Sequence, residues 1–264
     1  MWQLRKPTLI LAEPAPSQGD IHFRLLGIPV RVHPFFWVIS LLIGLQSDPL
    51  PSKVLLWVIA MMVSILAHEI GHALIQRHYG GHPQIVLHGL GGLAICGDCN
   101  RSTRSQILIS LAGPGAGFSL AALIAIGISL VGHPVGLYSL PQSNPFDNPD
   151  GLWLFGIWLI WEGFGSPHVN LMLQNLFFIN ILWGAINLLP IYPLDGGQVA
   201  REICLLGNPR SGMILSLQIS MVTAIGMVLV GLSLKSFFVA IMFGYFAFSS
   251  YKTMEAYRAS SWQP

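Results

Sequence analysis

The chain has 264 residues, 53% of them hydrophobic and only 9% charged. Soluble domains carry about 25% charged residues, so this chain lacks the charge to cover a water-facing surface, and lipid is the expected solvent for much of it. A net charge of +2 without a basic stripe argues against a nucleic-acid partner, and three cysteines, an odd number, give no disulfide framework.

The N-terminus does not read as a signal peptide. Its apolar stretch, Thr8 to Ala12, is shorter than an h-region and Glu13 follows at once. Residues 21–32 alternate apolar and polar around Gly27, Ile28 and Pro29, the pattern of two short strands about a turn. A short apolar segment at 34–46 follows Pro34, and a longer one at 54–76 meets the ~20 residues that a membrane helix needs. Residues 84–95 are β-branched and interrupted by the glycines from Gly89 to Gly92, which predicts strand. Further spans are predicted at 106–131, 170–191, 211–234 and 236–251. The apolar run 152–161 is too short to cross and is expected to be re-entrant or interfacial, with Trp153, Trp158 and Trp161 at headgroup level.

The expected fold is an all-α polytopic membrane protein with about six transmembrane helices and a small β element near the cytoplasmic face. Residues 1–33 form a cytoplasmic segment with a β hairpin, 34–210 the membrane core, and 211–264 the last helices and a short cytoplasmic tail. With both termini cytoplasmic, the inner segments carry Arg5, Lys6, Arg24, Arg31, Arg77, Arg101, Arg104, Arg201, Arg210, Lys252 and Arg258. The outer ones keep only Lys53 and Lys235, while Asp147, Asp150 and Glu162 fall outside, which is the asymmetry expected of a multi-pass protein in this orientation.

The second span contains His68-Glu69-Ile70-Gly71-His72. Helix positions i and i+4 share a face, so both imidazoles can bind one metal ion, and Glu69 can take a proton from water activated by that ion. From Val54 to Ile75 these are the only ionisable residues. A charge at membrane depth costs at least about 2.5 kcal/mol, which favours function over a metal-free hydrogen-bonded cluster. Catalytic zinc takes three protein ligands and keeps one position for water. The one acid expected at the same depth and on the same side is Asp195, after Pro190 and Pro193 break the fourth long span. Its alternative role is that of a helix N-cap or of a turn acid beside Gly196.

His68-Glu69-x-x-His72 on one span, paired with Asn187-x-x-Pro190 and Asp195-Gly196 on a later one, resembles the site-2 protease family of intramembrane zinc metalloproteases. Gly113, Pro114, Gly115 and Gly117 and the Gly89 to Gly92 stretch are similar to that family's central region, and the likeness covers residues 20–210. It implies one zinc ion held by His68, His72 and Asp195, with Glu69 as general base and Asn187 holding the substrate or the developing oxyanion. It also implies cleavage of membrane-spanning substrates near the cytoplasmic face. No PDZ domain or paired nucleotide-sensing repeat is recognisable. An extended substrate would pair with the edge of residues 84–95.

Weaker signals have plainer readings. Cys96 and Cys99 form one CxxC that could bind metal or cycle between thiol and disulfide, with free thiols in a cytoplasmic loop as the preferred expectation. His88, in the glycine-rich strand region, is read either as a substrate contact or, by preference, as a loop histidine without a role; His78 and His82 are expected as interfacial, and His133 and His168 as lying on the outer side. Gly113, Gly115 and Gly117 are expected to let the third span pack on the second. Two rival functions are a metal-ion transporter and a non-catalytic scaffold. The transporter requires polar residues continuing outward, and from Val54 to Leu66 the second span offers only Ser64.

Overall fold

The structure is a computed structural model that describes residues 14–47, 49–89, 91–139, 149–209 and 211–261. Arg5, Lys6, Asp147, Arg210 and the stretch Thr8 to Ala12 lie outside the described residues. The fold is mainly helical, with two small sheets. It divides into two compact units, one made of residues 14–98 and 112–185, the other of 99–111 and 186–261.

The first of these opens with strands β1 (Ile21–Leu25) and β2 (Ile28–Val32). They are joined by a two-residue turn in which Leu26 and Gly27 both have positive φ, 52° and 79°. Such turns match the twist of the flanking strands. The turn therefore comes before Ile28 and Pro29, which belong to β2, rather than at Gly27, Ile28 and Pro29 as the sequence suggested. Residues 84–95 make two strands, β3 (Gln84–His88) and β4 (Gly91–Ile95). The sheet order is β1-β2-β3-β4, with the β2–β3 pair parallel and the others antiparallel, which leaves β4 as an edge.

Helices α1 (Pro34–Ser47) and α2 (Pro51–His78) pack on this sheet. Val30, Val32, Ile85 and Leu87 point from alternate strand positions onto Ile65, Leu66 and Ala73 of α2 and Phe36 of α1. The Arg77 guanidinium donates to the Leu26 carbonyl at 2.7 Å and ties the end of α2 to the β1–β2 turn.

Helix α3 (Thr103–Leu130) and helix α4 (Pro167–Asn187) run on from one unit to the other. Between them, β5 (Val135–Tyr138), β6 (Pro149–Leu154) and β7 (Ile157–Glu162) form a second sheet ordered β5-β7-β6. Residues 152–161, expected as a re-entrant or interfacial piece, thus lie in a β-hairpin of this sheet. Phe155 and Gly156 take positive φ, 53° and 83°, and close a tight hairpin inside the apolar run. Trp161 is fully buried against Phe177, with ring centroids 5.4 Å apart, while Trp153 is exposed.

In the other unit, α5 (Asp195–Gly207) is followed by α6 (Gly212–Ser233) and α7 (Phe237–Ser261), which pack along each other. Ile191, Leu189 and Leu194, just before α5, join Ala224 of α6 and Phe243 and Phe246 of α7 in one apolar cluster.

Among the described residues, four helices are long and apolar enough to cross a membrane: α2, α3, α4 and α6. Helix α1, with 14 residues, reaches about 21 Å, short of a hydrocarbon core of about 30 Å. Helix α7 carries Lys252, Glu255 and Arg258 in its last turns. The expected six spans are thus matched in length and apolarity by four. Large apolar side chains on these helices stand outward, among them Leu123, Leu130, Val222 and Leu229, as a lipid-facing surface requires.

Candidate metal centre

His68, Glu69 and His72 lie on the buried face of α2, each less than a tenth exposed. One turn of helix separates the two histidines, and their Nε2 atoms converge to 3.1 Å. That approaches the ~3.3 Å edge of a tetrahedron with metal–nitrogen bonds of about 2.05 Å. The space around the pair is kept open by a glycine. A Cβ built on Gly113 of α3 would overlap His72 Nε2 and lie 2.7 Å from His68 Nε2, almost where an ion shared by the two nitrogens would sit. The pair and its cradle therefore fit zinc.

Glu69 has its own glycine. A Cβ on Gly92 of β4 would fall within 2.7 Å of the Glu69 Cδ and Oε1, so the backbone of the edge strand lies directly against the carboxyl group. Gln76, two turns on from Glu69, donates from Nε2 to the Ala94 carbonyl at 3.1 Å and holds β4 on the helix.

The direction of the strand's polar groups follows from one hydrogen bond. The Leu87 carbonyl accepts from the His33 N–H on the β2 side at 2.9 Å. Strand alternation then turns Val86 and His88 towards Leu93 and Gly91, their register partners. Gly92 and Ala94 consequently aim their N–H and C=O groups at the open edge, where the Gln76 amide takes the Ala94 carbonyl.

In the other unit, Asp195 is buried at the first helical position of α5, where the aligned N–H groups of a helix favour negative charge. It is not the N-cap, which is Leu194. A helix begins here but its N-cap is the preceding residue, so of the two alternatives Asp195 is neither the cap nor a simple turn acid. Gly196 and Gly197 make this possible. A Cβ on Gly196 would strike the Leu188 carbonyl, and one on Gly197 the Ile191 carbonyl, so the first turn of α5 rests on the backbone of the preceding connection. Asn187 is buried as the last residue of α4.

The weaker signals resolve as follows. Gly113 does face α2, as expected, but through the histidine rings; Gly117 faces Asn180 of α4, and a Cβ on Gly115 would meet nothing within 4 Å. Close packing of α3 on α2 is completed by Gly71, which lies against Ala112 and Ala116. His88 is a buried strand residue rather than a loop histidine. Burial, followed by the charges of His33 and Arg31, holds its imidazole below the ordinary histidine range. Cys96 and Cys99 are disulfide-bonded, which corrects the expectation of free thiols. His82 pairs with Asp98 at 2.6 Å, and His133 stacks on Phe164. Signals for Gly92, Gly113 and Gly197 as site residues were present in the sequence only as glycines, which do not announce what approaches them.

Residues 56–232, more than half of the chain, match Peptidase family M50. A zinc metalloprotease of Methanocaldococcus jannaschii is 27% identical over 186 residues, covering 69% of this chain and 44% of the relative. Stage IV sporulation protein FB of Bacillus subtilis is 25% identical over 180 residues, 66% of this chain and 47% of the relative. The chain thus matches a little under half the length of these relatives. Among solved structures, a site-2 protease from Methanocaldococcus jannaschii superimposes with a TM-score of 0.56 at 21% identity, over 88% of this chain and 94% of that one, and shares its fold.

Proposed function

The chain belongs to Peptidase family M50, and on that premise we propose that it is an integral membrane zinc protease that hydrolyses peptide bonds within or near the transmembrane segments of other proteins. The observation that carries this reading is the trio on α2: two imidazoles converging on the space left by Gly113, with a carboxyl group beside them, all buried in an otherwise apolar helix.

His68, His72 and Asp195 would hold the ion, since two nitrogens and one carboxylate oxygen are a donor set that catalytic zinc accepts. When bound, zinc supplies a Lewis acid that polarises a peptide carbonyl and makes water nucleophilic near neutral pH. Glu69 takes the proton of the attacking water and returns it to the leaving amine. Its carboxyl group lies against Gly92, so a substrate strand added to the open edge of β4 brings its backbone to the base. The Gly92 N–H and C=O and the Ala94 N–H face that edge and would hold the substrate extended, which exposes the carbonyls a helix hides. Asn187 would donate its side-chain amide to the developing oxyanion.

The arginine distribution supports both termini and the catalytic level on the cytoplasmic side. The lipid bilayer and a transmembrane protein substrate are the partners, residues 34–210 the protease core, and 211–264 its supporting helices. The test measures zinc content and cleavage of a model transmembrane substrate for the purified wild type, Glu69→Gln and Asp195→Ala. Glu69→Gln should retain zinc and lose cleavage, and Asp195→Ala should bind zinc far more weakly than wild type through the two histidines alone. Cleavage by Glu69→Gln would remove Glu69 as the base, and full zinc occupancy in Asp195→Ala would remove the third ligand.

A further inference from the structure

We infer that Ser220 of α6 and Ser250 of α7 are positioning residues for Asp195, acting through the backbone of Tyr192; this rests on the reading of Asp195 as a zinc ligand. The connection from Leu188 to Leu194 is largely closed on itself. Leu189 bonds to the Ile186 carbonyl, Ile191 to that of Leu189 and Leu194 to that of Ile191, while Pro190 and Pro193 have no N–H to offer. The Tyr192 N–H reaches out instead and donates to Ser220 Oγ at 2.7 Å. Ser220 Oγ in turn lies 2.7 Å from Ser250 Oγ, and both side chains are buried, 1% and 0% exposed.

These two hydroxyls depart from the usual behaviour of serine in an apolar helix, which is to bond a carbonyl one turn back in its own helix. Ser119, Ser216 and Ser233 of this chain do that, bonding to Gly115, Met213 and Val230. Ser220 and Ser250 bond across helices and onto the connection. The restraint reaches Asp195 through direct contact. Gly197, two residues beyond Asp195, lies so close to Tyr192 that a Cβ there would be 2.6 Å from the Tyr192 nitrogen. The peptide clamped by Ser220 is therefore the peptide on which the first turn of α5 rests. A metal site tolerates about 0.2 Å of error in its ligand bonds, so a clamp at this point fixes the carboxylate within reach of the ion. It also gives α6 and α7 a role in the centre although neither supplies a ligand.

Partners that orient a ligand from outside the coordination sphere typically contribute about 10–100-fold to metal affinity. The experiment measures zinc dissociation constants by chelator competition in detergent for the wild type, Ser220→Ala, Asp195→Ala and the double variant. Ser220→Ala should bind zinc about 10-fold more weakly than wild type, and should add nothing in the Asp195→Ala background, because the pathway ends at that carboxylate. Wild-type affinity in Ser220→Ala, or an equal loss in both backgrounds, would overturn the inference while leaving Asp195 as a ligand. Wild-type affinity in Asp195→Ala would overturn both readings. If Ser220→Ala does not fold, the same cycle with Ser250→Ala decides; that variant keeps the Tyr192 acceptor and should lose a few-fold, again only when Asp195 is present.

Discussion

Replacing Gly113 by alanine adds one methyl group at the point where the two imidazoles converge. Built on the existing backbone, that methyl carbon overlaps His72 Nε2 and lies 2.7 Å from His68 Nε2. To reach ordinary contact at 3.4 Å, the His68 ring alone must retreat by about 0.7 Å. Zinc–ligand bonds tolerate about 0.2 Å, so the displaced rings cannot both bind, and the methyl fills the place of the ion. Loss of even one strong bond of this kind is expected to weaken zinc by at least about 100-fold, equivalent to about 2.7 kcal/mol. The assay is zinc stoichiometry and chelator competition on the purified Gly113→Ala protein, with Gly115→Ala as its control. Gly115 is two residues away on the same helix and has open space beside it, so its alanine variant should bind like wild type. A Gly113→Ala protein that holds one zinc with unchanged affinity would refute the placement of the ion at the histidine pair.

The same reasoning applied to Gly92 predicts a separation of binding from turnover. Gly92→Ala pushes a methyl onto the Glu69 carboxyl, so kcat should fall by at least about 10-fold, with the 10²–10⁴ that a general base contributes as the upper bound, while zinc content stays whole. An unchanged kcat on a transmembrane substrate would show that Glu69 does not need this backbone contact. At the second sheet, Trp161→Ala empties a fully buried site against Phe177 and should cost about 3–5 kcal/mol in unfolding. Zinc affinity, read by the same chelator competition in the folded protein, should not change; a parallel loss would tie the sheet to the metal centre.

What the sequence revealed and what it concealed divide along physical lines. The long apolar runs at 54–76, 106–131, 170–191 and 211–234 correspond to α2, α3, α4 and α6, because a membrane helix is written in length and hydropathy. The pair His68 and His72 was legible because i, i+4 spacing fixes a common face. The second sheet was concealed because its strands are apolar on both sides, as a short membrane-inserted piece would be, and because the turn between them uses Phe155 rather than the asparagine or aspartate that usually marks a positive φ. Helix α5 was legible only as the N-cap alternative for Asp195, because its two opening glycines read as turn residues; in fact they let the helix sit on the connection before it. The roles of Gly92 and Gly113 were beyond reach for the same reason. A glycine states only that a side chain is absent; which group occupies the vacated space is decided by elements distant in the chain.

That pattern has a consequence for how the centre keeps its shape in lipid. Side-chain packing alone positions a group loosely, because methylene groups rotate and the surrounding hydrocarbon offers no preference between protein and lipid contact. Here each group that must be placed closely meets backbone: Glu69 against Gly92, the imidazoles against Gly113, and the first turn of α5 against the carbonyls of Leu188 and Ile191. Backbone held in helices and sheet moves far less than side chains do, so the three contacts set the positions of Glu69, the two imidazoles and the start of α5 with few soft degrees of freedom. Polar side chains then act where the backbone is irregular and has no ladder of its own, as Gln76 does on the Ala94 carbonyl and Ser220 on the Tyr192 N–H. The edge of β4 contrasts with these points, since its Gly92 N–H and C=O face away from β3; under the proposed function, that edge is where a substrate strand would add.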